Sequence, residues 1–258
     1  TKPGLGVKEF LHQSAALFLQ AVRGAATAKP RASRVPGPPL AGLTRARAAL
    51  PARNAQGLQR IVMIGASTGG PGALHELLRA LPEDAPPIVI AQHMPQRFTG
   101  AFARSLDAGC SLTVKEAEGG DRLARGLVLV APGSKHASVV NRGGGYALEL
   151  GSEPAGCRPS VDVLFRSAVR AAGANAIGVL LTGMGTDGAR GLLELKKAGA
   201  VTIAEDETSA VVFGMPREAI ALGAASQVLP LHEIAPAIIA LRDRAGPASG
   251  SSVASRQP

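Results

Sequence analysis

The chain has 258 residues, 46% of them hydrophobic and 18% charged, which is enough for one sizeable core, and no apolar run approaches the ~20 residues of a membrane span. Its net charge of +9 lies almost entirely in residues 1–57, which carry +8, so the nearly neutral remainder lacks the basic stripe typical of nucleic-acid binding. The two cysteines, Cys110 and Cys157, show neither metal nor disulfide spacing, which favours a cytoplasmic protein.

The two ends of the chain differ in composition from its middle. Residues 7–26 show helical periodicity, and the stretch 27–57 is a Pro-, Ala-, Arg- and Gly-rich sequence without a period, typical of a linker. Residues 246–258 are small and polar, which predicts a disordered tail. We therefore predict one domain over residues 58–245, which is long enough to be a catalytic domain. Because the chain starts at Thr1 rather than Met, we expect a fragment of a longer protein.

From residue 58 onward, short apolar runs alternate with helical patterns. The predicted strands are 60–65, 87–92, 112–116, 127–131, 176–182, 200–204 and 226–229. The predicted helices are 71–81, 98–107, 160–172, 187–198, 208–222 and 232–244. Residues 137–150 break this alternation with two strand-like runs around a Gly-rich turn. The pattern predicts an α/β fold with three layers: a mainly parallel, doubly wound (Rossmann-like) sheet with an inserted β-hairpin.

Three reactive side chains follow three of the predicted strands. Ser67 follows strand 60–65, His93 follows strand 87–92, and Asp187 follows strand 176–182. In open α/β sheets ligands bind beyond the carboxyl ends of the strands, so these side chains are expected to share one edge. A weak nucleophile, a base and a group that orients the base are the components of acyl transfer.

The turn after the first strand supports this interpretation. Gly65 to Gly69 spell G-x-S-x-G, a pattern that presents a serine on a tight strand-to-helix turn near helix-N-terminal amides. The order Ser, His, Asp along the chain is not that of α/β-hydrolases, which indicates a different sheet topology. A Gly-rich turn is more often a phosphate or dinucleotide site, although the G-x-G-x-x-G spacing and the Walker lysine are both missing.

Each of these residues also has a simpler interpretation. His93 could be a structural histidine at a strand end, and His136 is a rival base at another strand end. Asp187 could be a helix N-cap, and Asp206 is a rival orienting carboxylate. No single residue decides between these alternatives, but the placement of all three at strand ends favours a hydrolase.

Several ordered motifs between residues 58 and 240 resemble one known family. They are IGASTGG, QHMP, VKEAEGGDRL, APGSKH, RPSVDVLF, GVLLTGMGTDGARG and VVFGMPREAI. Together they resemble the chemotaxis protein-glutamate methylesterases (CheB-type response regulators). The resemblance implies a cytoplasmic serine hydrolase, without cofactor or metal, that demethylates chemoreceptor glutamates and in many members deamidates receptor glutamines.

The resemblance also assigns roles to particular residues. The family's triad falls on Ser67, His93 and Asp187, and its oxyanion region falls on backbone groups near Thr68 and Met184. The implied substrate is the methylated cytoplasmic helices of a bacterial chemoreceptor. Neither nucleic-acid binding nor membrane insertion is implied.

The chain departs from the family's usual residues in a few places. Thr186 stands where Asn is commoner, Ser134 where Asp is usual, and Gly156-Cys157 where a polar residue and a His are expected. Because the triad positions are intact, we expect these differences to affect receptor selectivity more than chemistry.

The start of the chain resembles the end of a response-regulator receiver domain. Lys2-Pro3 matches the receiver's Lys-Pro pair, and residues 1–26 would then be the C-terminal remnant of the receiver domain, including its last helix. The resemblance implies that the chemotaxis sensor kinase acts through the receiver. Since the phospho-accepting aspartate is not in this sequence, we expect an esterase that is active without phosphodonors.

Two alternatives remain from the residues themselves. One is a nucleotide-binding Rossmann-like module that uses Gly65, Gly69 and Gly70, although no acidic residue follows about 20 residues later to bind a ribose. The other is a catalytically inert regulatory scaffold.

Overall fold

The fold is built on one parallel sheet. The computed structural model describes residues 60–152 and 157–242. The strands are β1 (Ile61–Ala66), β2 (Ile88–Gln92), β3 (Thr113–Glu116), β4 (Leu127–Val130), β5 (His136–Arg142), β6 (Gly145–Gly151), β7 (Ala176–Leu180), β8 (Val201–Glu205) and β9 (Gln227–Leu229). Seven of them form a parallel sheet in the order β3-β4-β2-β1-β7-β8-β9.

Helices cover both faces of this sheet. They are α1 (Gly70–Arg79), α2 (Gln96–Gly109), α3 (Val161–Ala171), α4 (Ala189–Lys197), α5 (Met215–Ala221) and α6 (Leu231–Leu241), with a 3₁₀ turn at Gly173–Asn175. Alternate residues of β1 point to opposite faces. Val62 and Ile64 pack in a core with α1, α2 and α6, whereas Ile61 and Met63 pack in a second core with α3, α4 and α5. The predicted three-layer, doubly wound fold is therefore confirmed.

The inserted hairpin is also confirmed. Strands β5 and β6 pair antiparallel as a separate two-stranded sheet around the turn at Gly143 and Gly144, both of which have positive φ. The hairpin packs on the second core through Val139 and Leu148, and the amide of Val139 donates a 2.8 Å hydrogen bond to the hydroxyl of Ser167 on α3. It thereby covers the face of the sheet that α3 also covers.

One predicted helix is wrong over half its length. The pattern predicted a helix over 208–222, but α5 begins only at Met215. Residues just after β8 instead form a turn, in which Asp206 accepts hydrogen bonds from the Thr208 hydroxyl and the Ser209 amide. Such local side-chain bonds compete with helix formation. The backbone that follows bonds to the end of β7, since Gly183 donates to the carbonyl of Val212.

The predicted segments at the two ends lie outside the described residues. These are the helix within 1–26, the linker over 27–57 and the tail over 246–258. Among the helices that the structure describes, none is both long and apolar enough to cross a bilayer.

Candidate active site

The three sequence-predicted side chains follow the three central strands of the sheet. Strands β2, β1 and β7 are neighbours, so Ser67, His93 and Asp187 lie beyond adjacent carboxyl ends. The chain leaves β1 first toward β2 and later returns to its other side with β7. This change of direction is the topological switch point at which open α/β sheets bind ligands.

Ser67 lies on a turn that several backbone contacts hold. Its amide donates a 3.0 Å hydrogen bond to the carbonyl of Thr182, and its carbonyl accepts one of 2.9 Å from the amide of Gly70. Gly69 adopts φ +84, a left-handed conformation that favours glycine, and Pro71 sits in the first turn of α1. Ser67 is half-buried, so its side chain reaches the surface at the start of a helix.

Gly183 lies directly against Ser67. A β-carbon at Gly183 would come 2.7 Å from the Ser67 Cβ and would also overlap the Met215 sulfur. The absence of a side chain at Gly183 thus sets the position of Ser67.

His93 and Asp187 form a hydrogen-bonded pair. The His93 Nε2 lies 2.8 Å from Asp187 Oδ2, and their side chains are 15% and 20% exposed. Since a carboxylate only accepts, Nε2 carries the proton and Nδ1 of the neutral ring is the basic nitrogen. In this structure no hydrogen bond joins the Ser67 and His93 side chains, but the His93 amide donates 3.0 Å to the carbonyl of Ala66.

Gln92 links the backbones of Ser67 and His93. It is 2% exposed, and its Nε2 donates to the backbone carbonyl of Ser67 at 2.9 Å and to that of His93 at 3.0 Å. The turn after β1 and the turn after β2 are therefore tied together by one buried amide.

Asp187 accepts four hydrogen bonds. Besides His93, its donors are the Ser160 hydroxyl at 2.9 Å and the amides of Val161 at 2.8 Å and Asp162 at 3.0 Å. Burial alone would raise the pKa of Asp187, but the bonds from His93, the two amides and Ser160 outweigh it and hold the pKa below its ordinary value. Asp187 therefore does accept bonds from helix-N-terminal amides, but from those of α3, whose own N-cap residue is Ser160, rather than from the helix that follows it in sequence.

Asp162 performs the reciprocal function. From the first turn of α3, its Oδ1 accepts hydrogen bonds from the amides of Gly188 at 3.0 Å and Gly191 at 2.7 Å, at the start of α4. Burial raises the pKa of Asp162, and the nearby charge of Asp187 adds to the rise. Asp187 thus binds the start of the helix that contains Asp162, and Asp162 binds the start of the helix that follows Asp187, which holds Asp187 in place.

The rival residues have other environments. His136 is completely buried, and its Nδ1 accepts a 3.1 Å hydrogen bond from the amide of Ser160. Asp206 bonds to Thr208 and Ser209 within its own turn, and those bonds help to lower its pKa although burial acts in the opposite direction. No hydrogen bond or ion pair joins either residue to His93 or Ser67.

The two predicted oxyanion positions lie on either side of the serine turn. Thr68 follows Ser67 and is exposed, and its carbonyl accepts a 2.9 Å hydrogen bond from the Thr182 hydroxyl. Met184 follows Gly183 and is 75% exposed. Within the described ranges, no group of three or more His, Cys, Asp or Glu side chains could hold a metal ion.

The family can now be assigned from the sequence comparisons. A model of the CheB methylesterase family matches residues 62–238, which include the whole parallel sheet after the first residue of β1. This chain belongs to the CheB methylesterase family. The match spans all three strand ends described above.

Relatives of this CheB domain share about half of its residues. A protein-glutamate methylesterase/protein-glutamine glutaminase from Anaeromyxobacter dehalogenans is 53% identical over 246 residues, covering 93% of this chain and 68% of that protein. One of the same name from Xanthomonas campestris pv. campestris is 51% identical over 249 residues, covering 93% of this chain and 71% of that protein.

A solved structure has the same fold. The Thermotoga maritima CheB methylesterase catalytic domain is 41% identical, with a TM-score of 0.69, and the match covers 71% of this chain and 98% of that one. Four polar residues around the site of this CheB domain were not predicted as site residues: Gln92, Ser160 and Thr182, which are buried, and Asp162, which is half-buried. Their signal was a polar side chain at the end of an apolar strand or at a helix start.

Proposed function

We propose that this chain is a protein-glutamate methylesterase whose Ser67, His93 and Asp187 form a catalytic triad. The observation that carries the proposal is the 2.8 Å contact from His93 Nε2 to Asp187, beside the glycine-containing serine turn, in a member of the CheB methylesterase family. This contact leaves Nδ1 of His93 as the basic nitrogen, and the Ser67 hydroxyl follows the neighbouring strand β1.

The reaction proceeds through an acyl-enzyme. His93 Nδ1 accepts the Ser67 hydroxyl proton as Oγ attacks the ester carbonyl, and Asp187 stabilises the imidazolium that forms. The tetrahedral intermediate collapses, the bond to the methoxy group breaks, and His93 returns the proton so that methanol leaves. In the second half, His93 takes a proton from water as the water oxygen attacks the acyl carbonyl. The bond to Ser67 Oγ then breaks and His93 returns the proton to Oγ, which frees the glutamate side chain of the receptor and restores Ser67.

The tetrahedral oxyanion is stabilised by backbone amides on both sides of Ser67. The amide groups of Thr68 and Met184 donate to no described residue, so both are free to bind the oxyanion. The start of α1 adds a positive helix-dipole end two residues after Thr68.

The same site accounts for the second activity that the relatives' names carry. If the leaving group is ammonia rather than methanol, the identical acyl-enzyme forms from glutamine, so the chain would act as a glutaminase. The substrates are the methylated or amidated cytoplasmic helices of chemoreceptors, and the enzyme acts in the cytoplasm. The nucleotide-binding alternative has no support, because the matching family model, relatives and solved structure are all methylesterases.

Labelling with a fluorophosphonate tests the nucleophile. We expect stoichiometric phosphonylation, and peptide mapping should place the adduct on Ser67. Neither a nucleotide-binding module nor an inert scaffold would react, so an unlabelled protein, or an adduct on another serine, would refute the triad.

Gly183→Ala should lower esterase activity by about a hundredfold, since displacing a reacting group by about 1 Å has an effect of this size. The added methyl would lie 2.7 Å from the Ser67 Cβ and must push the nucleophile away. Gly72→Ala on α1 is the matched control, because a β-carbon there meets no atom within 4 Å. Kinetics of both variants check the expectation, and equal activities would contradict it.

His136→Gln should lower stability but keep the shape of the pH–rate profile. His136 is fully buried against Ser160, so it can support the start of α3 but cannot reach a substrate. Loss of the acidic limb of the profile in this variant would make His136 the base.

A further inference from the structure

Glu205 is a completely buried carboxylate that the proposed reaction does not use. It is the last residue of β8 and has no exposed surface. Buried carboxylates are costly unless hydrogen bonds compensate for their lost hydration. The hydrogen bonds of Glu205 therefore indicate which part of the structure it stabilises.

Both oxygens of Glu205 accept hydrogen bonds near the site. Oε2 accepts 2.7 Å from the amide of Thr182, and Oε1 accepts 3.0 Å from the Ser209 hydroxyl. Burial raises the pKa of Glu205, the charges of Asp206 and Glu76 add to the rise, and the two hydrogen bonds oppose it.

Thr182 connects Glu205 to the serine turn. Its carbonyl accepts the amide of Ser67 at 3.0 Å, and its hydroxyl donates to the carbonyl of Thr68 at 2.9 Å. The same hydroxyl accepts a 2.9 Å bond from the amide of Val212. The amide of Ser67 and the carbonyl of the next residue, Thr68, are thus both bonded to Thr182, which is itself bonded to Glu205.

We propose that Glu205 is a positioning residue, which holds Thr182 so that Thr182 in turn holds the Ser67 turn in its reactive geometry. The inference rests on the proposed function, because it requires Ser67 to be the nucleophile. Glu205 acts as a hydrogen-bond acceptor, so glutamine should substitute for it. The carbonyl oxygen of a glutamine can accept from the Thr182 amide, and its NH₂ group can bond to the Ser209 hydroxyl.

The test compares Glu205→Met with Glu205→Gln in the full 258-residue chain. In Glu205→Met, we expect the rate of Ser67 phosphonylation and kcat to fall about tenfold or more, with KM within about twofold of the wild-type value. Glu205→Gln should recover both rates to within about threefold of wild type. A lost packing interaction alone would not be restored selectively by an amide.

Thr202→Val is the matched control on the same strand. Its hydroxyl is also buried, but it bonds to the Ala224 carbonyl and the Ser226 hydroxyl, away from the site. This variant should lose thermal stability without losing phosphonylation rate.

Thr182→Val provides a second route if Glu205→Met does not fold. It removes only the hydroxyl, and it should slow phosphonylation as well. Where Glu205→Met does fold, the double variant should lose less than the product of the two single effects, because both act through one chain of contacts.

Two results would overturn the inference: wild-type phosphonylation in folded Glu205→Met, or a Gln variant as slow as the Met variant. Phosphonylation does not depend on the natural substrate. A wild-type chain that reacts at Ser67 but releases no methanol would therefore refute the proposed substrate, while the comparison of variants still decides the function of Glu205.

Discussion

Ser67→Ala is expected to lower esterase turnover by at least about a thousandfold, since removing the nucleophile of a triad leaves only binding and oxyanion stabilisation. The fold should not change. The Ser67 hydroxyl donates to no described residue, and the turn is held by backbone bonds to Thr182 and Gly70. We expect the free energy of unfolding to stay within about 0.5 kcal/mol of the wild-type value. Steady-state kinetics and urea unfolding measure the two quantities.

The control for this prediction is Ser105→Ala. Ser105 is an exposed serine on α2, and its hydroxyl lies 3.2 Å from His75 Nε2. This variant should keep wild-type turnover. His93→Ala should be about as damaging as Ser67→Ala, because members of a triad act as a unit. If Ser67→Ala retains a tenth or more of wild-type turnover, the assignment of the nucleophile is wrong.

Asp187→Asn is expected to lower kcat by about 10⁴-fold, because the amide favours the wrong imidazole tautomer. It should also lower stability by about 1–3 kcal/mol, since a carboxamide has one acceptor oxygen and cannot satisfy four donors. Those donors are His93, Ser160 and the amides of Val161 and Asp162. A variant with normal stability but low kcat would show that the capping bonds contribute little.

The stability effect of Asp187→Asn should depend on pH. The folded-state pKa of Asp187 is lowered below its ordinary value of about 3.9, so its stabilisation is fully present above that pH. It is lost as the pH falls through the lower, folded-state pKa. Urea unfolding should therefore show a large difference between wild type and variant at pH 7 that narrows below about pH 4. A difference that stays constant would contradict this linkage.

The sheet, and the position of the three candidate site residues at its edge, were predictable because their signals are local. The apolar run of β1, the glycine turn and Ser67 are contiguous, and the rule that ligands bind at carboxyl strand ends brought His93 and Asp187 to the same edge. Their adjacency depended only on the strand order β2-β1-β7, which the parallel α/β pattern allows.

The supporting contacts were not predictable because they join distant parts of the chain. Asp162 bonds to amides 26 and 29 residues away, and Glu205 bonds to an amide 23 residues away. The hydrophobic periodicity of the sequence carries no information about hydrogen bonds between residues so far apart in the chain. The segment 208–214 was predicted as helix because its composition is compatible with one, but tertiary bonds to Gly183 and local bonds to Asp206 prevailed.

Methanol release from methylated chemoreceptor membranes is the most direct test of the proposed function. Wild-type chain should release methanol in proportion to the methyl groups present, Ser105→Ala should do the same, and Ser67→Ala should release none above background. Ser67 labelled by fluorophosphonate without any methanol release from receptor membranes would show a serine hydrolase with a different substrate, and would contradict the proposal that the chain is a receptor methylesterase.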